Sequence, residues 1–303
     1  MSSVTILAQA QLINKMQQYY KSNLIQSVPY SIFRAKINTV TVTAYTSGKV
    51  LFQGSHAEEE AQKWSSQQVN DTPQKFTQKT SFNRYNQLTL IGSDEVGNGS
   101  YFGSLTVCAV YLSPDDFELA RELGIKDSKL LTDRQIREIA WQLKESFTHH
   151  LTICDPIKYN QNIDRLNAVG IKVSLHNFTI QKLIAKLSDE QRSHLDGVMI
   201  DEFTSKQNYL KYLRQEKYPY QQNLIFEKKA ESLHLSVACA SIIARDAFLT
   251  SLERLGQDYH LTLPSGAGTN VDKIGKQLVQ KYGPDILKQL AKVHFKNTEK
   301  ILN

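Results

Sequence analysis

Cysteine is scarce in this chain of 303 residues. Cys108, Cys154 and Cys239 stand far apart with no Cys-x-x-Cys pairing, which argues against a disulfide framework or a cysteine zinc site. Two of them lie in the apolar runs VCAVYL and VACASII, where a cysteine packs as a small hydrophobe. A reducing cytoplasm is the expected setting. Long apolar runs are lacking too: no stretch approaches the roughly 18–20 residues of a membrane span, so no membrane is expected. The opening MSSVTILAQAQLINKMQQYY has neither a basic start nor a clean apolar core and does not read as a secretory signal. PSGAGTN (264–270) is glycine-rich but lacks the Gly-Lys-Ser/Thr ending of an NTP-binding loop, so ATP is not an expected ligand. His149 and His150 show no metal-ligand spacing, and there is no internal repeat or low-complexity tract.

What is present is an ordinary globular composition, 41% hydrophobic and 22% charged. The net charge of +6 is unevenly spread. Residues 1–86 carry nine Lys and Arg against four Asp and Glu, whereas residues 87–303 carry 27 against 26. A basic N-terminal part on a nearly neutral remainder fits a polyanion-binding appendage; a soluble domain with surface lysines fits as well.

The pattern divides the chain. Residues 8–22 fit an amphipathic helix, 29–45 read as paired strands, KVLFQG as a further strand, and AEEEAQKW as a helix capped by Ser55. Residues 1–70 therefore read as a compact α+β unit. The polar stretch 71–87, with Pro73, reads as a linker. From Leu88 strands alternate with helices: LTLIGS, SLTVCAVYL, a capped helix over 132–147, the strand HLTICDP, a helix over 169–187, the short strand GVMIDEF, and a long helix opening near Glu231. That alternation predicts an α/β domain over 88–303 with a mixed sheet.

Carboxylates stand at the ends of these elements. LTLIGS runs into Asp94 and Glu95, and VMI runs into Asp201 and Glu202. Adjacent side chains on a strand face opposite ways, so Asp94 and Glu95 share a site only if the backbone leaves the pleat there. The glycines of VGNG are expected to supply that departure. Glu231, after two lysines, is placed in the first turn of the long helix. Acids from three elements would make an oxygen-only cage suited to Mg²⁺ or Mn²⁺. Acids also end strands because loops are wet, and Glu231 suits a helix N-terminus by charge alone; spacing leaves both readings open.

The segments SDEVGNGSYFGSLTVCAVYL, GIKDSKLLTDRQI, VMIDEF, KKAESLHLSVACASIIARDAF, LPSGAG and VHFKNTEK, in that order, resemble ribonuclease HIII, a bacterial family of the type 2 ribonuclease H group. The resemblance runs from about residue 88 to the end. The N-terminal unit is similar to that family's substrate-binding domain, whose fold resembles half of a TATA-binding protein. The resemblance implies a ribonuclease H-like mixed sheet flanked by helices and an endonuclease that hydrolyses the RNA strand of RNA/DNA hybrids by two-metal-ion catalysis. Carried over, its acidic positions fall on Asp94, Glu95, Asp201 and Glu231, both as catalytic residues and as ligands of two Mg²⁺ or Mn²⁺ ions. Products would carry 5′-phosphate and 3′-hydroxyl ends. Gly97, Asn98, Gly99 and Ser100 are expected to meet the 2′-hydroxyl, and Lys126, Ser128 and Lys129 the phosphates. No membrane or protein partner is implied, and a monomer is expected. Two departures stand out. Ser104 replaces a usual proline after Phe-Gly and is expected to loosen that turn. Gly97-Asn98-Gly99 differs from the Gly-Arg-Gly of ribonuclease HII, which favours the HIII branch over removal of single embedded ribonucleotides. A non-catalytic nucleic-acid binder, a ribonuclease HII-like enzyme and a junction resolvase are the competing readings.

Overall fold

The computed structural model describes residues 3–8, 10–26, 31–45, 48–65, 85–125 and 131–303. They fall into two compact units, within 1–80 and 81–303.

The first unit opens with a strand that the periodicity did not predict, β1 (Ser3–Leu7). Then come α1 (Ala10–Tyr19), β2 (Ser31–Ile37), β3 (Val40–Tyr45), β4 (Lys49–Gln53) and α2 (Ala57–Ser65). The four strands form one antiparallel sheet in the order β1-β4-β3-β2. Alternation in β3 puts Val40, Val42 and Ala44 into a core shared with Ile13 and Met16 of α1 and Ala57, Ala61 and Trp64 of α2. Tyr20 and Phe33 are core residues, at 1% and 2% exposure. Burying the Tyr20 hydroxyl requires partners. It donates to Glu60 at 2.8 Å and accepts from the Trp64 indole N–H at 2.6 Å.

The second unit is built on five strands in the order β7-β6-β5-β8-β9: β5 (Leu90–Val96), β6 (Leu105–Leu112), β7 (His149–Cys154), β8 (Gly197–Asp201) and β9 (Leu224–Glu227). The first three are antiparallel neighbours, and β8 and β9 join parallel, so the sheet is mixed as expected. Its helices are α3 (Phe117–Glu122), α4 (Asp133–Ser146), α5 (Pro156–Ile184), α6 (Asp189–Ser193), α7 (Lys206–Leu213), α8 (Leu235–Gln257), α9 (Thr269–Tyr282), α10 (Ile286–Leu290) and α11 (Asn297–Leu302). Cys108, Val110 and Leu112 of β6 face α4 and α8, while Ala109 and Tyr111 face α5 and α7. Tyr85, inside the stretch read as a linker, belongs to the core of this unit, packed with Leu90, Met199 and Val237.

Three sequence expectations change here. Thr132 does start α4, through a capping box with Gln135, but the helix read over 169–187 is the second half of a longer one. The break within α5 is Asn167, at φ 53°, whose side chain accepts the N–H groups of Val169 and Gly170 at 3.0 Å each and so caps the second half. Second, α8 is long and apolar enough to cross a membrane by length and composition alone, although polar residues interrupt it. Its most apolar stretch is 67% buried, which makes α8 the central helix of the unit. Third, Ser104 does not loosen its turn. Its amide N–H donates to Ser251 Oγ at 3.2 Å and its hydroxyl lies 2.6 Å from the same oxygen, whereas proline has no N–H to give.

The placement of α8 depends on Gly92. A Cβ there would stand 2.2 Å from Val237 N and 2.3 Å from Ser236 C, both backbone atoms that cannot swing aside. Gly92→Ala should therefore force α8 off β5 and lower the urea midpoint, with a stability loss of about 3 kcal/mol.

Candidate active site

Strand β5 does not leave the pleat at its acids. It stays in register with β6 through Asp94↔Cys108, Glu95↔Val107 and Val96↔Thr106. The glycine turn follows one residue later, so the expected departure is absent and the two carboxylates take opposite faces of the sheet.

Asp94 takes the α8 face. The parallel register of β5 with β8 runs to Ser93↔Ile200, which brings Asp94 beside Asp201 at the next step. Ser241 of α8 donates a hydrogen bond to Asp94, and the Glu95 amide N–H donates to Asp94 Oδ1 at 2.7 Å. Burial, then the charges of Glu95 and Asp201, outweigh these bonds and push the Asp94 pKa up to about 8. Asp201 Oδ1 accepts the amide N–H of Ala230 at 2.9 Å. Glu231 is the next residue, but it does not open the long helix. It lies in a short 3₁₀ turn, Ala230–Ser232, entered through a left-handed Lys229 at φ 56°. The cap of α8 is His234, whose Nδ1 meets Ser236 and whose Nε2 lies 3.2 Å from Leu88 O.

Glu95 takes the α5 face, where the sequence reading saw no partner. Lys172 Nζ donates to its Oε1 and His176 Nε2 to its Oε2, each at 3.0 Å. Burial alone would raise the Glu95 pKa, yet the bonds and charges of His176 and Lys172 together hold it below the usual carboxylate range. The signal was present in IKVSLH: a lysine and a histidine four apart on a helix, both among apolar positions.

The four acids are therefore split. Asp94 and Asp201 adjoin on one face, Glu231 lies one residue past the amide that holds Asp201, and Glu95 stands across the sheet. Among the described residues, no three Asp, Glu, His or Cys side chains are already gathered into a metal cage.

The turn after β5 is fixed by its neighbours. Gly97, at φ +99°, has no room for a Cβ, which would lie 2.3 Å from Ser104 O. Ser100 is buried, and its hydroxyl donates to Phe102 O at 2.8 Å and accepts the Gly266 N–H at 3.1 Å. Its side chain therefore builds the turn, while Asn98 and Gly99 form its exposed tip. Lys126, Ser128 and Lys129 lie outside the described residues.

Comparison with known proteins agrees with this architecture. A family model described as Ribonuclease HII matches residues 91–298, and one described as a domain of unknown function (DUF3378) matches 3–77. The chain is 44% identical over 305 residues to a ribonuclease HIII of Streptococcus pneumoniae (strain P1031), covering 100% of both. It is 42% identical over 286 residues to a ribonuclease HIII of Enterococcus faecalis, covering 93% of this chain and 92% of that one. The crystal structure of Bst-RNase HIII in complex with Mn²⁺ superposes with a TM-score of 0.72 at 37% identity, over 99% of this chain and 98% of that one. The chain belongs to the ribonuclease HII family, in its ribonuclease HIII branch. It is a ribonuclease H, an enzyme type that acts on RNA/DNA hybrids.

The raised Asp94 pKa has a sign that can be checked. The folded value of about 8 lies above the unfolded one, so between the two the native state binds more protons than the unfolded chain. The contribution is complete below the unfolded value of about 4 and is lost as the pH rises through the folded one. Asp94→Asn removes the titrating group. In EDTA, the stability of the unsubstituted protein should fall relative to the variant across the window between the two values, by up to about 1.4 kcal/mol per pH unit in urea unfolding.

Proposed function

We propose that the chain cleaves the RNA strand of RNA/DNA hybrids by two-metal-ion hydrolysis, with Asp94, Glu95, Asp201 and Glu231 as the ion-holding catalytic residues. The observation that carries this reading is the Asp94–Asp201 pair: two oxygen-donor groups on adjacent parallel strands, one with its pKa pushed up to about 8 by burial and like charge. Like charges in a buried site resist ionising together, and an all-oxygen donor set fits a hard divalent cation better than a zinc-like one. The Mn²⁺ held by Bst-RNase HIII supports the same choice. Bound Mg²⁺ or Mn²⁺ would supply Lewis-acid activation of water and stabilisation of the leaving 3′ oxygen, giving 5′-phosphate and 3′-hydroxyl ends.

The chain's own residues provide the rest. Asp94 and Asp201 fix the centre of the site on two strands buried in the sheet, which holds it more rigidly than loops would. Ser241 and the Ala230 amide orient those two carboxylates. The exposed tip at Asn98 and Gly99, rising next to the acids, presents backbone and a small amide side chain to the 2′-hydroxyl. Gly97 sets the path of that tip. The basic N-terminal unit, and Lys126, Ser128 and Lys129, bind the phosphate backbone. Three free, buried thiols support a reducing, cytoplasmic setting.

Asp94→Asn should lower cleavage of a labelled hybrid by roughly three orders of magnitude or more while leaving hybrid binding in place. Cleavage at the normal rate would overturn the assignment.

A further inference from the structure

The α5 side of β5 holds a buried polar cluster around Glu95 whose other members have no part in the reaction as derived above. Glu95 is clamped there at both oxygens, by Lys172 and by His176. The clamping side chains are nearly withdrawn from solvent, at 6% exposure for Lys172 and 0% for His176. A carboxylate only accepts, so His176 Nε2 carries the proton. The other ring nitrogen lies 2.8 Å from the Ser93 hydroxyl, which fixes the imidazole from behind. Phe203 stacks on that imidazole, at 5.2 Å between centroids and 25° between planes. The same ring lies 3.9 Å from Lys172 Nζ. Asn167 restarts α5 one turn before Lys172, so both clamping residues stand on a freshly capped, rigid stretch of helix.

As glue for the fold this arrangement is a poor choice. Taking three ionisable groups out of water costs more than filling the same space with apolar side chains. What the cluster does achieve is a single orientation of one carboxylate, set from two directions, next to the residue at the centre of the site.

We propose that Lys172 and His176 are positioning residues that hold the Glu95 carboxylate in the orientation the divalent-ion site requires. The proposal rests on the reading of Glu95 as part of that site. Donors behind a ligating carboxylate fix its direction, and their loss typically weakens metal binding.

Mn²⁺ binding, followed by the electron paramagnetic resonance of the free ion, tests this without any turnover. Lys172→Met should weaken Mn²⁺ binding about tenfold. His176→Leu should act in the same direction, and His176→Gln, which keeps an N–H donor at the Nε2 position, should restore most of the affinity. In a Glu95→Gln background the effect of Lys172→Met should disappear, because the clamp acts through that carboxylate. Unchanged affinity in Lys172→Met, or an equal loss with and without Glu95→Gln, would overturn the proposal. His176→Gln keeps the test decisive if Lys172→Met does not fold: affinity no better than in His176→Leu would also overturn it. Asp94→Asn separates the two levels. If it abolishes Mn²⁺ binding while Lys172→Met leaves binding intact, only the clamp fails. If Asp94→Asn itself leaves binding intact, the metal-site reading fails and the clamp with it.

Discussion

Parallel pairing of β5 with β8 places two carboxylates side by side at the end of a buried sheet. Like charges at that spacing resist ionisation together, and burial removes the water that would screen them. The sheet enforces the juxtaposition: Asp94 cannot move away from Asp201 without unpairing a strand that has antiparallel β6 on its other side. Gly92 extends the constraint to α8, since only a residue without a side chain lets the helix close enough for Ser241 to reach Asp94. The apolar core on that face is what keeps the repulsion in place.

Adjacent residues on one strand receive opposite treatment. Asp94 is pushed up to about 8, whereas Glu95 is held below the ordinary carboxylate range by a lysine and a histidine. Paired acids with diverging environments are a mark of assigned chemical roles. Here the divergence follows from the pleat itself, because successive side chains meet different helices, α8 on one face and α5 on the other. One acid resists ionisation, and the other is held ionised by the cations on its side.

Much of the fold was legible because its elements are strongly periodic. β-branched alternation marked β3, a continuous apolar run marked β6, and the Thr132 cap marked α4. The acids were legible because they interrupt apolar strands. What sequence could not give was register. The break in the pleat expected at Asp94 and Glu95 is absent, because the pairing with β6 continues through Val96. Glu231 was assigned to a helix because the left-handed Lys229, which diverts the chain into a separate turn, carries no glycine signal. Lys172 and His176 were missed because a helix-borne lysine is ordinarily solvated, and only the tertiary pairing buries this one. Ser104 was misjudged for a related reason: its value lies in a partner, Ser251, that is 147 residues away.

The central claim is that a divalent ion takes the place of a proton on the Asp94–Asp201 pair. Calorimetric titration of the whole protein with Mn²⁺ near pH 7, repeated in buffers of different ionisation enthalpy, measures that exchange directly. The account predicts release of about one proton as the site fills, declining towards zero as the pH is raised above the Asp94 pKa. Mn²⁺ binding with no buffer dependence at neutral pH would contradict it.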